Sequence, residues 1–174
     1  MDHDLNVIGA FAVVLGDRIR DATEDASGMG GALPAALSAL HEWAGGRTIE
    51  TLAGGLRLSH SRTVRVVDKL EARGLARRAR DPVDGRGVLV ELTPAGRRAG
   101  ARVLEARAAA LEDAVPAEDR HALAQIAERG LARATTGRRA AGAICRLCDA
   151  DACGHHEGLC PVTRAADAAE AARG

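Results

Sequence analysis

The stretch Leu58–Arg97 reads "LSHSRTVRVVDKLEARGLARRARDPVDGRGVLVELTPAGR". Ser59 or Ser61 is a hydroxyl N-cap for the helix "RTVRVVDKLEARG", because its oxygen can accept from a free N–H of the first turn. Val64, Val67 and Leu70 recur one turn apart and predict the core-facing side. Arg62, Arg65 and Lys69 repeat at the same spacing on another face. Gly74 stands where a helix end favours a left-handed residue. Beyond Gly74 the helical spacing stops. In "LARRARDPVDGRGVLVELT" the turn centre "DPVDGRG" separates two short segments, the second β-prone, and this predicts a hairpin. Thr93 then caps another helix, with Pro94 at its first position.

Upstream, Thr48 caps a short helix "IETLAGGL", joined to the basic helix through "GLRL". A helix from Pro34 to about Trp43 precedes it. Before that, Leu5, Ile8, Phe11, Leu15 and Ile19 keep helical spacing, with Val7 and Val14 widening the stripe, over residues about 4–25. Downstream, the Thr93-capped helix runs to Pro116, and a last one covers about 117–135. "TTGRRAAG" reads as a hinge, and "TRAADAAEAARG" as a polar tail that frays. The fold class expected is mainly α with a small β-hairpin wing.

Hydrophobic residues are 47% of the 174, which excludes wholesale disorder. Aromatics reduce to Phe11 and Trp43, so the core is built from Ala, Leu and Val and favours close-packed helices. The apolar N-terminal segment has acidic flanks and makes a poor secretory signal. No run approaches the roughly 20 apolar residues of a membrane span. A cytoplasmic protein is expected, with cysteines as thiols or metal ligands rather than structural disulfides. The formal net charge of zero hides segregation. Residues 1–30 hold six acids and two arginines, a balance of −4, whereas residues 47–102 hold 13 basic and six acidic side chains, a balance of +7. Such a basic block is the footprint of a polyanion-binding element.

Two short helices, the second basic, with a hairpin directly after them, are the layout of a winged helix-turn-helix. Ser59, His60, Ser61 and Thr63 crowd the N-terminus of the basic helix, the end that enters the major groove in this motif. Backbone N–H groups and the helix dipole also favour phosphate there. With Arg62, Arg65 and Lys69 they make up the candidate DNA-facing set. The stretch resembles the multiple-antibiotic-resistance-regulator (MarR) family in its helix end "VDKLEARGL" and in the wing pattern D-x-x-D-x-R-x-x-x-V-x-L-T-x-x-G. That pattern is filled by Asp81, Asp84, Arg86, Val90, Leu92, Thr93 and Gly96. The resemblance covers residues about 4–136. It implies a dimerisation and winged-helix domain over 1–136, with the DNA-binding lobe at about 34–96. It also implies Arg86 as a minor-groove arginine and Asp84 as its support.

The family resemblance further implies a homodimer with interleaved first and last helices. Such a dimer controls transcription, most often by repression, from a pseudo-palindromic double-stranded DNA site. A small-molecule effector would sit between dimerisation and DNA-binding parts. Val103, Leu104, Leu111, Val115, Leu123, Ile126 and Leu131 supply more apolar surface than a lone winged helix covers. An enzyme is not expected: there is no Gly-rich phosphate loop after a strand, no nucleophile elbow and no isolated carboxylate pair.

The resemblance does not reach the extension over 137–174. There "CRLCDADACGHHEGLC" spaces all four cysteines as Cys145-x2-Cys148-x4-Cys153-x6-Cys160. A C-x2-C turn brings two thiolates to one ion, and two more ligands close by complete a tetrahedron, so zinc is expected. His155 or His156 could replace one thiolate. Four thiolates and Pro161 after the last cysteine also suit an iron–sulfur cluster, and clustered thiols can act as a redox switch.

Overall fold

In the computed structural model, which describes residues 2–82 and 87–173, the chain opens with α1 (His3–Ser27). The Asp2 carboxylate accepts from the Asp4 N–H at its start, and Gly28 at φ 64° ends it. Pro34 occupies the first turn of α2 (Leu33–Glu42). A two-residue strand β1 (Arg47–Thr48) leads into α3 (Ile49–Leu56) and α4 (His60–Ala72). The hairpin β2 (Ala76–Arg80) and β3 (Val88–Leu92) comes next, then α5 (Pro94–Ala114) and α6 (Arg120–Ala134).

Local chemistry sets these boundaries. The hydroxyls of Thr48, Ser59 and Thr93 accept from the N–H of Thr51 (3.3 Å), Arg62 (3.3 Å) and Gly96 (3.1 Å). Each such cap contributes about 1 kcal/mol. The capping residue of α4 is therefore Ser59 rather than Ser61. Gly74, at φ 67°, turns the chain from α4 into the hairpin.

The sheet is antiparallel in the order β1-β3-β2, with Arg47 opposite Val90 and Ala76 opposite Leu92. β1 was not foreseen, and it widens the expected hairpin into three strands. Ala76, Val90 and Leu92 point inward onto Leu37, Leu52, Val67, Leu70 and Val103, the centre of the core. α5 enters this core along small residues. A Cβ on Gly96 would stand 1.9 Å from the Leu75 carbonyl oxygen, and one on Gly100 would stand 2.9 Å from His41 Cβ. The glycine of the wing pattern thus marks a backbone-to-backbone approach that no side chain permits.

Two faces stay open. On α1, Leu5, Val7, Ile8, Val13 and Val14 are exposed; on α6 no residue is buried and Ile126 is exposed. Among the described residues no helix is long and apolar enough to cross a membrane.

The C-terminal extension departs from expectation. The segment read as a hinge holds α7 (Arg138–Ile144), which continues into a single 3-10 turn, Cys145–Leu147. The segment read as a fraying tail is α8 (Pro161–Ala171), packed against α6 and α7. Val162 and Ala166 are buried there, and Arg138 pairs with Asp167 and Glu170. A polar, Ala-rich sequence gains its helix here from tertiary partners.

Candidate nucleic-acid interface and thiol cavity

α4 divides into two faces. Thr63, Val67 and Leu70, at i, i+4 and i+7, are fully buried. Ser61, Arg62, Arg65 and Lys69 are exposed, as are Ser59 and His60 at the N-terminus. Two expectations change. Val64 is only half-buried, and Thr63 takes its place on the core face, with its hydroxyl donating to the Ser59 carbonyl at 3.1 Å. Thr63 is therefore removed from the DNA-facing set: its methyl fills the core and its one polar atom is satisfied within the helix.

Among the described residues no carboxylate pairs with Arg62, Arg65 or Lys69. His60 Nδ1 lies 3.6 Å from Glu50 on α3. Arg78 behaves oppositely. From β2 it reaches Glu71 and, at 2.8 Å, Asp68, while its backbone N–H donates to Glu71 at 2.7 Å. These contacts fix the wing against the reading helix, and the uncommitted cations are left on the outer face. Asp84 and Arg86 lie outside the described residues. Their neighbour Asp81 closes the hairpin through its N–H to the Gly87 carbonyl, at 2.9 Å.

The extension builds a second site. Cys145, Cys148, Cys153 and Cys160 all line one cavity of about 360 Å³, together with His155, Trp43 and Gly142. His155 is held by Thr163 at 2.9 Å, whereas His156 turns to Asp151. The thiols form two pairs. The Cys145 thiol donates to Cys148, which raises the pKa of Cys145 and lowers that of Cys148 to about 6; burial opposes the second shift, and Arg107 adds to it. Burial and the neighbouring Cys160 push Cys153 up to about 11. Burial also acts upward on Cys160, but hydrogen bonds from Thr163 and Val162 outweigh it and leave that thiol below its ordinary value. Among the described residues no three ligating side chains already stand as a metal-binding group, so the two pairs face one space without closing on one point.

The partners of this site were not legible in sequence. Trp43 Nε1 donates to the Cys145 carbonyl at 3.4 Å, and Glu42 accepts from the Ala150 N–H at 2.7 Å. Trp43 also packs on Gly55 and Gly142, where added Cβ atoms would stand 2.4 Å and 3.3 Å from the indole.

Comparison with known proteins bears on the fold that carries α4. The family model described as MarR family matches residues 27–87. A MarR-family transcriptional regulator from Silicibacter pomeroyi is 27% identical, with 75% of this chain and 89% of that one covered and a TM-score of 0.56. CouR from Rhodococcus jostii, crystallised bound to p-coumaroyl-CoA, is 28% identical over 71% of this chain and 86% of its own, at a TM-score of 0.54. Wild-type MarR from E. coli, at 20% identity, 71% and 96% coverage and a TM-score of 0.59, shares the fold. The search of curated proteins returned no match. The capped helix α4 and the braced wing agree with these matches: residues 27–87 match the MarR-family model, and the chain is similar in fold to MarR-family transcriptional regulators.

Proposed function

We propose that the chain acts as a homodimeric repressor at a pseudo-palindromic operator, with one zinc ion held by the four cysteines of each chain. The observation that carries the DNA reading is the exposed row Arg62, Arg65 and Lys69 on a helix whose opposite face is locked in the core. The open apolar faces of α1 and α6 support the dimer. A two-fold dimer presents two α4 helices, so half-sites stand about one helical turn apart. Arg86 and Asp84 join the reading surface on the strength of the wing pattern. One relative was crystallised bound to p-coumaroyl-CoA, which supports an organic effector here. The seam between α1, α2 and α5 leaves about 380 Å³ for it.

Four thiols lining one cavity, with His155 beside them, match the donor chemistry of zinc, although the two pairs must draw together to close on one ion. The room in their cavity favours an iron–sulfur cluster as the second reading. Metal analysis and a visible spectrum of protein purified without oxygen separate the two: one colourless zinc per chain supports the first, and a brown chromophore carrying iron supports the second. For DNA, duplex selected from a randomised pool is titrated at several salt concentrations. Tight binding that falls steeply with salt is expected, because arginine–phosphate contacts release counterions. Binding that ignores salt overturns the reading.

A further inference from the structure

The extension touches both halves of the molecule whose relative position a dimeric reader depends on. Its α7 lies on α3, where Gly142 and Gly55 meet across the Trp43 ring. Its α8 lies on α6, and Arg173 donates to the Thr136 carbonyl just beyond that helix. Between them, the 3-10 turn enters the seam where α1, α2 and α5 come together. Ile144, Leu147 and Cys148 wall the 380 Å³ space there, opposite Ile19, Ala35 and Arg107. Leu147 also packs against the hydrophobic core. Cys148 is thus a shared wall, lining the thiol cavity on one side and the seam on the other.

We propose that metal–thiolate ligation at the four cysteines controls DNA affinity, by fixing the Ile144–Cys148 turn as a wedge in the seam between the α1–α5 scaffold and the reading lobe. The inference rests on the metal-site reading above. Binding of Zn²⁺ displaces to solvent the protons that the thiols still carry and leaves a dianionic zinc tetrathiolate; no electron is transferred. Before ligation the turn is held by its continuity with α7, by the Trp43–Cys145, Glu42–Ala150 and Arg146–Ala143 hydrogen bonds and by the Leu147 side chain. Ligation adds a cross-link from Cys145 and Cys148 to the far end of the extension at Cys160. A lobe already held at one angle loses less freedom on docking, so the loaded form binds DNA more tightly. Linkage requires the reciprocal effect: operator duplex must tighten zinc binding by the same factor.

The test uses the full chain and a duplex selected from a randomised pool. Zinc-loaded protein should bind it about tenfold or more tightly than protein stripped by a chelator, within the usual range of allosteric coupling. Zinc titrated in the presence of that duplex should bind tighter by the same ratio. Leu147→Ala keeps every thiol and truncates only the wedge. It should still bind one zinc, retain its circular dichroism spectrum, and show DNA affinity that no longer depends on zinc. Should chelation itself unfold the extension, zinc-loaded Leu147→Ala is compared with zinc-loaded parent: weaker DNA binding by the variant supports the wedge, and equal affinity overturns it. Stoichiometric zinc with DNA affinity unchanged on its removal overturns the wedge and leaves the metal site standing. Absence of zinc binding overturns the metal site, and the wedge with it.

Discussion

Arg62 and Arg65 sit one turn apart on the solvent face of α4 with no carboxylate among the described residues pairing with them, so their charge is available to phosphate or to base edges. Arg62→Ala and Arg65→Ala should each weaken DNA binding by about 1–3 kcal/mol where a base edge is lost. Where a phosphate contact is lost, the salt slope should fall by about one per chain instead. Fluorescence anisotropy against salt reads both outcomes, and unchanged affinity in a folded variant contradicts the assignment. Thr63 shows where reading by residue type failed: a hydroxyl beside a helix N-terminus suits DNA, yet this one sits at i, i+4 and i+7 with Val67 and Leu70 and is buried. At the thiol cavity, the hydrogen bond from Cys145 lowers Cys148 to about 6, while Cys153 is raised to about 11. In metal-free protein, Cys148 alkylation by iodoacetamide should rise as pH passes through about 6, and Cys153 should stay protonated at neutral pH. Cys145→Ala removes the donor and should shift the Cys148 profile upward; peptide mapping of the alkylated sites measures it.

Elements were legible in proportion to how local their causes are. The starts of α3, α4 and α5 are each set by one hydroxyl and the N–H it meets, and Thr48, Ser59 and Thr93 announce them in the sequence. β1 is two residues long and exists only because Val90 and Leu89 pair with it across about 40 intervening residues, beyond any local pattern. α7 and α8 failed for the same reason. Their apolar positions are mostly alanine, and what holds them is Gly142 against Gly55, Arg138 against Asp167, and Val162 and Ala166 under cover. Gly96 is the reverse case, visible as part of a pattern but explained only by the Leu75 carbonyl beside it. Gly96→Ala should destabilise the fold by about 1–3 kcal/mol, as forced overpacking does, with α5 pushed off the wing. Urea unfolding measures this, and a variant as stable as the parent would contradict the approach seen here.

At the scale of the whole molecule, apolar area on α1 and α6 is left uncovered by the single chain. The chain should sediment as a dimer at micromolar concentration. Deleting residues 1–25 should abolish the dimer and give aggregation, because the partner surface is then bare; a well-behaved truncated monomer would refute the interleaved arrangement. The helix-turn-helix and the hairpin of the lobe were legible in sequence, whereas β1, the burial of Thr63 and the route from the cysteines to that lobe were not. The cysteine spacing announces a site, but no sequence pattern says that Trp43, about a hundred residues earlier, forms part of its wall or that Glu42 anchors the Ala150 backbone beside it.

That wall has an optical consequence. The chain holds one tryptophan and no tyrosine, so its near-ultraviolet emission comes from a single indole. This indole borders the thiol cavity and donates to the Cys145 carbonyl. Sulfur beside an excited indole quenches it, and quenching depends on how close the sulfur is and what it is bound to. The protein therefore carries its own gauge, with no label required: emission tracks events at the cysteines. Metal loading and DNA docking could be monitored in one cuvette, the first by intrinsic light and the second by a dye on the duplex.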